Sequence, residues 1–354
     1  MALHELALER RNLHGHFSRE LEPVLELDSG ESFAFATLDA GWGLEPPHAD
    51  GTERERFEPL DPELDSGHAL IGPVAVRGAR AGQVLEVGID SVRVGPFGWT
   101  VAGGWSSFMN DGLDVAEGES AVLAWELDAD AGLGRDRAGH EVRLSPFLGV
   151  LGMPPDEPGV HPTGPPRFCG GNLDCKELVP GTKLFLPIAV DDALFSAGDC
   201  HALQGDGEVS STAIECPLER GELTLTVRDD LELRGPVALT SDAWIALGLG
   251  ENLNDATIDA VDSMLRLMGR ELGLERRDAL ALASVVVDLR ITQVVNGVMG
   301  VHAVLPHVRT AQVIQKPGTH VGILRGTSLG RVVVSHDEQR HGRLLVSLLI
   351  RQVS

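Results

Sequence analysis

The residues able to do chemistry are concentrated between Cys169 and Cys216. That stretch holds Asp174, Asp191, Asp192, Asp199, His201, Asp206, Glu208 and Glu215 among glycines, together with all four cysteines of the chain. Asp199 and His201 are two residues apart, so on a strand they point to one face. Gly205-Asp206-Gly207 then reads as a hairpin turn whose loop length sets the register. A three-residue loop with Gly207 in the left-handed position pairs Gln204 with Glu208. His201 then faces Ser211, Asp199 faces Ala213 and Glu215 faces Ala197, and Asp199, His201 and Glu215 share a face. A two-residue loop would turn Glu215 away.

A face with one imidazole and several carboxylates suits a divalent metal with an open position for water, and zinc is the ion expected. Such an ion lowers the pKa of bound water and polarises a carbonyl, the two requirements of amide hydrolysis. The expected ligands are Asp174, His201 and Glu215. Asp199 and Glu208 are the candidates for moving the proton from water to the departing amine. Asn172 and the backbone N–H groups of Gly170 and Gly171 could bind the substrate and its developing oxyanion. Asp206, between two glycines, reads as a turn former.

Cysteine offers a rival. Cys175 beside Lys176 and Glu177 could form a Cys–Glu–Lys amidase arrangement, although nothing marks one thiol as activated. Cys169, Cys175, Cys200 and Cys216 lack the spacing of a structural zinc site and read as small buried hydrophobes. There is no GxSxG elbow, P-loop, dinucleotide fingerprint or HExxH helix.

The elements that must position these residues read mostly as strands. In 354 residues, 42 glycines and 20 prolines spread turns throughout, which favours short strands over a helical bundle. Strands are expected at Pro23–Leu27, Ser32–Leu38, Ala69–Val76, Val84–Val94, Ala121–Leu127, Glu141–Leu144, Leu223–Val227 and Val237–Leu239. Asp28–Glu31 reads as the turn joining the first two. Leu44–Ser66 reads as a long surface loop that could act as a lid, and the aromatic Phe97–Gly118 as a packed loop over the core, with the wall of a substrate pocket as the alternative. Asn254 or Asp255 could cap a helix from Ala256 to Leu272 ended by Gly273. A second helix runs from Arg277 to about Leu289.

The expected fold is therefore mainly β, sandwich-like or barrel-like, with a smaller α+β part containing two helices near residues 255–290. The expected division is an N-terminal β domain (1–150), a central catalytic β segment with the α+β part (151–310), and a C-terminal hairpin extension (311–354). A net charge of -24 argues against nucleic acid and anionic membrane surfaces as partners. The charged N-terminus lacks a signal-peptide core, no apolar run would span a bilayer, and four cysteines suit a reducing compartment, so a cytoplasmic location is expected.

At this point the chain resembles the acetamidase/formamidase family. The match runs through Gly170-Gly171-Asn172-Leu173-Asp174, Gly181-Thr182-Lys183-Leu184-Phe185-Leu186-Pro187, the passage from Ala193 to Val209, and Ile214-Glu215. Weaker matches lie at Thr37–Ala40, Gly72–Ala79, Pro146–Gly152, Val287–Val295 and Gly300–Ala303. The resemblance implies a mainly β, metal-dependent homo-oligomer that hydrolyses small primary amides such as formamide or acetamide to the acid and ammonia. It puts the family motif on Asp174, Asp199, His201, Asp206, Glu208 and Glu215. Cys200, Cys169 and Asp191-Asp192 depart from the pattern. Hydrolysis of a larger or cyclic amide, or a binding or structural protein without turnover, are the alternatives.

Overall fold

Along Ala243–Gly250 the side chains alternate between two cores. Ile245 and Leu247 point into one cluster of buried side chains, while Trp244 and Ala246 point into another. This is the period of a strand covered on both faces. A computed structural model describes residues 2–48 and 52–311. Among these, strands form a nine-stranded and an eleven-stranded sheet. The fold is mainly β with a small helical part.

The two sheets share the first core. Phe33, Leu85 and Leu223 come from the nine-stranded sheet, and Ile71, Leu148 and Phe195 from the other; all are buried in one cluster. Each such side chain contributes about 1.5–3 kcal/mol relative to exposure. The second core lies on the outer face of the nine-stranded sheet, under the helices.

The first helix runs from Leu253 to Leu272. Its cap is Asn252, whose side chain accepts from the backbone N–H groups of Asn254 and Asp255, two residues earlier than the sequence pattern suggests. Gly273 ends it in the left-handed conformation with φ 66°, as expected. Ala256, Ala260 and Met264 face the sheet at intervals of four, and Gly248 lets them approach: a methyl group there would lie 2.0 Å from the Ala260 nitrogen.

The second helix, Arg276–Val286, stops short of Leu289. Val287 is already extended, and Asp288–Gln293 pairs antiparallel with Met299–Pro306. Sheet edge hydrogen bonds there replace a further helical turn. Among the described residues no helix is long and apolar enough to cross a membrane.

Three sequence expectations change. Leu25–Leu27 and Glu31–Thr37 are strands but not a hairpin, because each finds a partner in a different sheet: Leu70–Val76 and Leu218–Arg228 respectively. A boundary at residue 150 does not separate two bodies. The strand Phe147–Gly152 crosses it, and Val84–Val94 from one side pairs with Lys183–Pro187 from the other. Phe97–Gly118 is not simply a loop, since Phe97–Ala102 pairs along its length with Ala121–Asp128. The expected C-terminal hairpin, Arg331–Ser335 and Leu344–Val353, lies outside the described residues.

Candidate active site

The strand Phe195–His201 is buried along its whole length. It is flanked by Phe147–Gly152, where Phe147 pairs with His201, and by Glu215–Cys216, where Glu215 pairs with His201. Gly170–Asn172 extends the sheet beyond Phe147–Gly152, with Asn172 opposite Val150. Four segments distant in sequence thus bring Asn172, Asp174, Asp199, His201 and Glu215 together.

The pairing differs from the expected hairpin. His201 stands opposite Glu215 rather than Ser211, four residues further along, and Ala197 pairs with Leu151 and Ile71 rather than with Glu215. Gly205-Asp206-Gly207 does make a turn, with Glu208 N–H donating to the Gly205 carbonyl at 3.3 Å, but it does not close a hairpin, because Gly207 is bridged to the other sheet. Its N–H donates to the Thr292 carbonyl, and its own carbonyl accepts from Val294 N–H. The shift is an even number of residues, so the shared face survives it. His201 Nε2 lies 3.3 Å from Asp199 Oδ1 and 3.2 Å from Glu215 Oε2.

The same bridge brings Glu208 to the imidazole, where Asp174, His201 and Glu208 form a second potential ligand group beside Asp199, His201 and Glu215. Asp174 Oδ1 is 4.0 Å from His201 Nδ1. Three of these acids have left-handed backbone: Asp174 (φ 47°), Asp199 (φ 58°) and Glu208 (φ 46°). Such strain costs on the order of 1 kcal/mol or more per residue and concentrates at functional sites. Gly149 leaves the space into which they point. A methyl group on it would lie 2.5 Å from Asp199 Oδ2, 2.7 Å from Asp174 Oδ1 and 2.9 Å from His201 Cε1.

Six side-chain atoms here are buried without a hydrogen-bond partner: Asn172 Oδ1, Asp174 Oδ1, Asp199 Oδ1, His201 Nε2, Glu208 Oε2 and Glu215 Oε2. Orphaned polar atoms are rare in native structures and costly to bury. Four carboxyl groups around one imidazole also leave an excess of negative charge. Both features fit a divalent cation, held by His201 and the surrounding carboxylates.

Burial opposes a charge on His201, but Glu215 and Asp199 outweigh it and hold its pKa well above the usual imidazole range. Burial likewise opposes ionisation of Asp199, yet His201 and then His68 keep its carboxylate below the usual range. Burial raises Glu215. Burial and then the charge of Glu208 push Asp174 well above the carboxylate range. Glu208 is pushed up to about 8, chiefly by burial. Without a bound cation the site therefore pairs an ionised Asp199 with a protonated Glu208 near neutral pH.

Asn172, Asp199, His201, Glu208 and Glu215 line a cavity of about 700 Å³. Asp174 lies just behind this wall, its other oxygen accepting from Asn296 Nδ2 at 2.7 Å. Gly170 and Gly171 do not line the cavity. Both have positive φ, and a methyl group on Gly170 would lie 2.3 Å from the Leu151 carbonyl, so Gly170 serves close strand packing. Asp206 pairs with Lys176 at 2.8 Å.

Several wall residues escaped the sequence reading. His68, just ahead of the strand Leu70–Val76, places Nε2 4.0 Å from Asp199 Oδ2 and Nδ1 2.7 Å from Thr163 Oγ1. Gln204 accepts at Oε1 from His201 Nδ1–H at 3.0 Å and donates from Nε2 to the Asp174 carbonyl at 2.8 Å. Its place in the Cys200–Gly207 run was the only available signal. Trp99 pairs with Glu215 across the sheet and donates to Asp39 Oδ2 at 2.9 Å. The segment Leu44–Ser66 reaches the cavity through Arg56, Leu60 and Asp65, and Arg54 from it pairs with Asp39 and lies over the Trp99 ring.

The cysteine alternative fails on geometry. Cys175 is fully buried, burial pushes its thiol well above the usual range, and Lys176 is engaged by Asp206. All four cysteines are free and buried.

Comparison with known proteins gives a consistent answer. The family model described as the Acetamidase/Formamidase family matches residues 3–161 and 157–232. A Schizosaccharomyces pombe protein with a provisional formamidase name is 26% identical over 297 residues, which is 66% of this chain and 71% of that protein. An acetamidase of Mycolicibacterium smegmatis is 48% identical over a 48-residue stretch, 14% of this chain and 12% of its own. The crystal structure of an acetamidase from Bacillus halodurans superposes with a TM-score of 0.74 at 25% identity, covering 87% of this chain and 99% of that one.

Proposed function

The chain belongs to the acetamidase/formamidase family, and from that premise we propose that it hydrolyses small linear primary amides to carboxylate and ammonia. Amide hydrolysis is what the family and the names of its relatives support. The observation that carries the mechanism is the convergence of six orphaned polar atoms on and around His201, five of them on residues that line one cavity.

In this reading Asp174, His201 and Glu215 hold a divalent cation, with zinc the first choice for an imidazole and carboxylate set. Such an ion would supply a water of lowered pKa and polarise the amide carbonyl. Asp199, ionised next to His201, takes the proton of the attacking water. Glu208 carries a proton near neutrality and delivers it to the departing nitrogen. Asn172 donates its amide hydrogen towards the carbonyl oxygen, and Gln204 fixes the imidazole ring. Trp99 and the Leu44–Ser66 segment limit water entry. We further propose that the protein works in the cytoplasm as a homo-oligomer.

The test is ammonia release from formamide and acetamide by the purified protein, before and after chelation and readdition of zinc. Turnover that is unaffected by chelation, or retained in His201→Ala, would rule out this site. A second reading has one observation in its favour: a cavity of about 700 Å³ is far larger than formamide requires, within the range of ordinary small-molecule sites. It supports a larger or cyclic amide as substrate. The γ-lactamase of Delftia acidovorans shares the fold at a TM-score of 0.55 and 20% identity. Comparing kcat/KM for acetamide, a bulkier primary amide and a γ-lactam separates the two readings.

A further inference from the structure

Directly after Asp174 the chain enters a second buried cluster. Cys175 Sγ lies 3.4 Å from Glu177 Oε2, and His302 Nε2 lies 3.5 Å from the same oxygen. One ligand atom from each of the three residues lies within 4.8 Å of the others. His302 is fully buried, and its Nε2 has no hydrogen-bond partner. Its Nδ1 is 2.8 Å from Thr292 Oγ1, which can accept the ring hydrogen and so leave the Nε2 lone pair facing the cluster. Arg290 engages the other Glu177 oxygen, Oε1, at 2.9 Å, while Oε2 accepts the Cys175 thiol hydrogen and is freed when that proton leaves.

We propose that Cys175, Glu177 and His302 form a zinc site, separate from the His201 centre, that fastens the Asp174 segment to the nine-stranded sheet. Thiolate, imidazole and carboxylate are all zinc ligands, bound at about 2.3 Å, 2.0–2.1 Å and 2.0–2.2 Å. A tetrahedron with those bond lengths has edges of about 3.3–3.6 Å. The Cys175–Glu177 and Glu177–His302 separations already match those edges. Of the three, Glu177 lines a cavity of about 500 Å³ together with Lys176, Gln204 and Arg290, which brings water to the edge of the cluster. On binding, the thiol proton leaves to solvent and the sulfur coordinates as thiolate. Thr292 takes the role of the partner that orients a ligating histidine.

This site bridges two parts of the fold. Cys175 and Glu177 follow the acid Asp174, while His302 sits on the strand Met299–Pro306 of the other sheet. An ion there would hold Asp174 in register with His201 without touching the substrate.

The experiment is titration of metal-depleted full-length protein with Co²⁺ alone, followed in the near ultraviolet. Only the Cys175 site has sulfur among its ligands, so sulfur-to-cobalt charge transfer reports on it and not on the His201 centre. The expected result is a charge-transfer band that saturates by two equivalents in the wild type, one for each centre, is lost in Cys175→Ser and in His302→Gln, and saturates at one equivalent in His201→Ala. Cobalt-loaded wild-type protein without that band would overturn the site, whatever the two variants do. A band that survives in a folded His302→Gln protein would also overturn it. Neither result bears on amide hydrolysis, which is read separately from ammonia release.

Discussion

His201 and Glu215 stand directly opposite each other on adjacent antiparallel strands, with Nε2 and Oε2 3.2 Å apart. Side chains that face each other on one side of a sheet are held by the backbone ladder itself. The relationship is therefore a property of register, and it fixes where any cation or substrate carbonyl must sit.

His201→Ala is expected to remove both clusters at once, because the ring is common to them. Loss should exceed the roughly 10–100-fold typical of residues one layer behind a metal. Steady-state ammonia release measures it, with circular dichroism to show that the strand remains paired.

Gly149→Ala is a test of the space that the acids occupy. The added methyl group would collide with Asp199, Asp174 and His201 at 2.5–2.9 Å, while the φ angle of Gly149 lies outside the left-handed region. The expected outcome is a protein that folds but binds zinc at least about tenfold more weakly, each factor of ten corresponding to about 1.4 kcal/mol. Zinc affinity as tight as wild type would show that the acids do not converge there.

Glu208 predicts a pH dependence of stability. Its folded pKa is about 8 against an ordinary value of 4.5, so between those limits the folded state holds a proton that the unfolded state has lost. The stability that this proton confers is complete below about pH 4.5 and falls as pH rises to about 8, by up to about 1.4 kcal/mol per pH unit. Denaturant unfolding of the metal-depleted protein from pH 5 to 8 should show that decline, and Glu208→Gln should flatten it.

Cation binding should release protons. Of the proposed ligands, His201 carries one near neutrality, because its pKa lies well above the usual imidazole range, and Asp174 keeps its proton to higher pH than an ordinary carboxyl. Ligands bind in their deprotonated forms, so affinity should weaken as pH falls. Calorimetry in buffers of different ionisation enthalpy counts the protons; an enthalpy independent of buffer at pH 7 would contradict the assignment.

Asp206→Ala should leave turnover within about twofold of wild type. Its carboxylate pairs with Lys176 outside the cavity wall, and an ion pair of that exposure is worth about 0–1 kcal/mol. A large loss would return Asp206 to the catalytic group.

Much of this site could be read along the chain. The stretch Cys169–Cys216 supplies Asn172, Asp174, Asp199, His201, Glu208 and Glu215, and all of them converge. Residue type announces chemistry, because buried carboxylates around a histidine need a function to repay their desolvation. Alternating apolar residues likewise fixed the strands Val84–Val94 and Val237–Leu239 to the residue. Those patterns are local, with a period of two that any short window contains.

What local pattern could not decide was partnership. Gly205-Asp206-Gly207 has the composition of a tight turn, yet Gly207 bonds to Thr292 and Val294 far along the chain, and this moves Glu215 opposite His201. His68, Trp99 and Asn296 reach the cavity from three other segments. A strand's hydrogen-bonding edges accept many partners, and only the packing of two sheets over a common core selects among them. The sequence alone determined which groups are able to do chemistry; the tertiary structure decided which of them meet, because register and sheet pairing are set by long-range contacts.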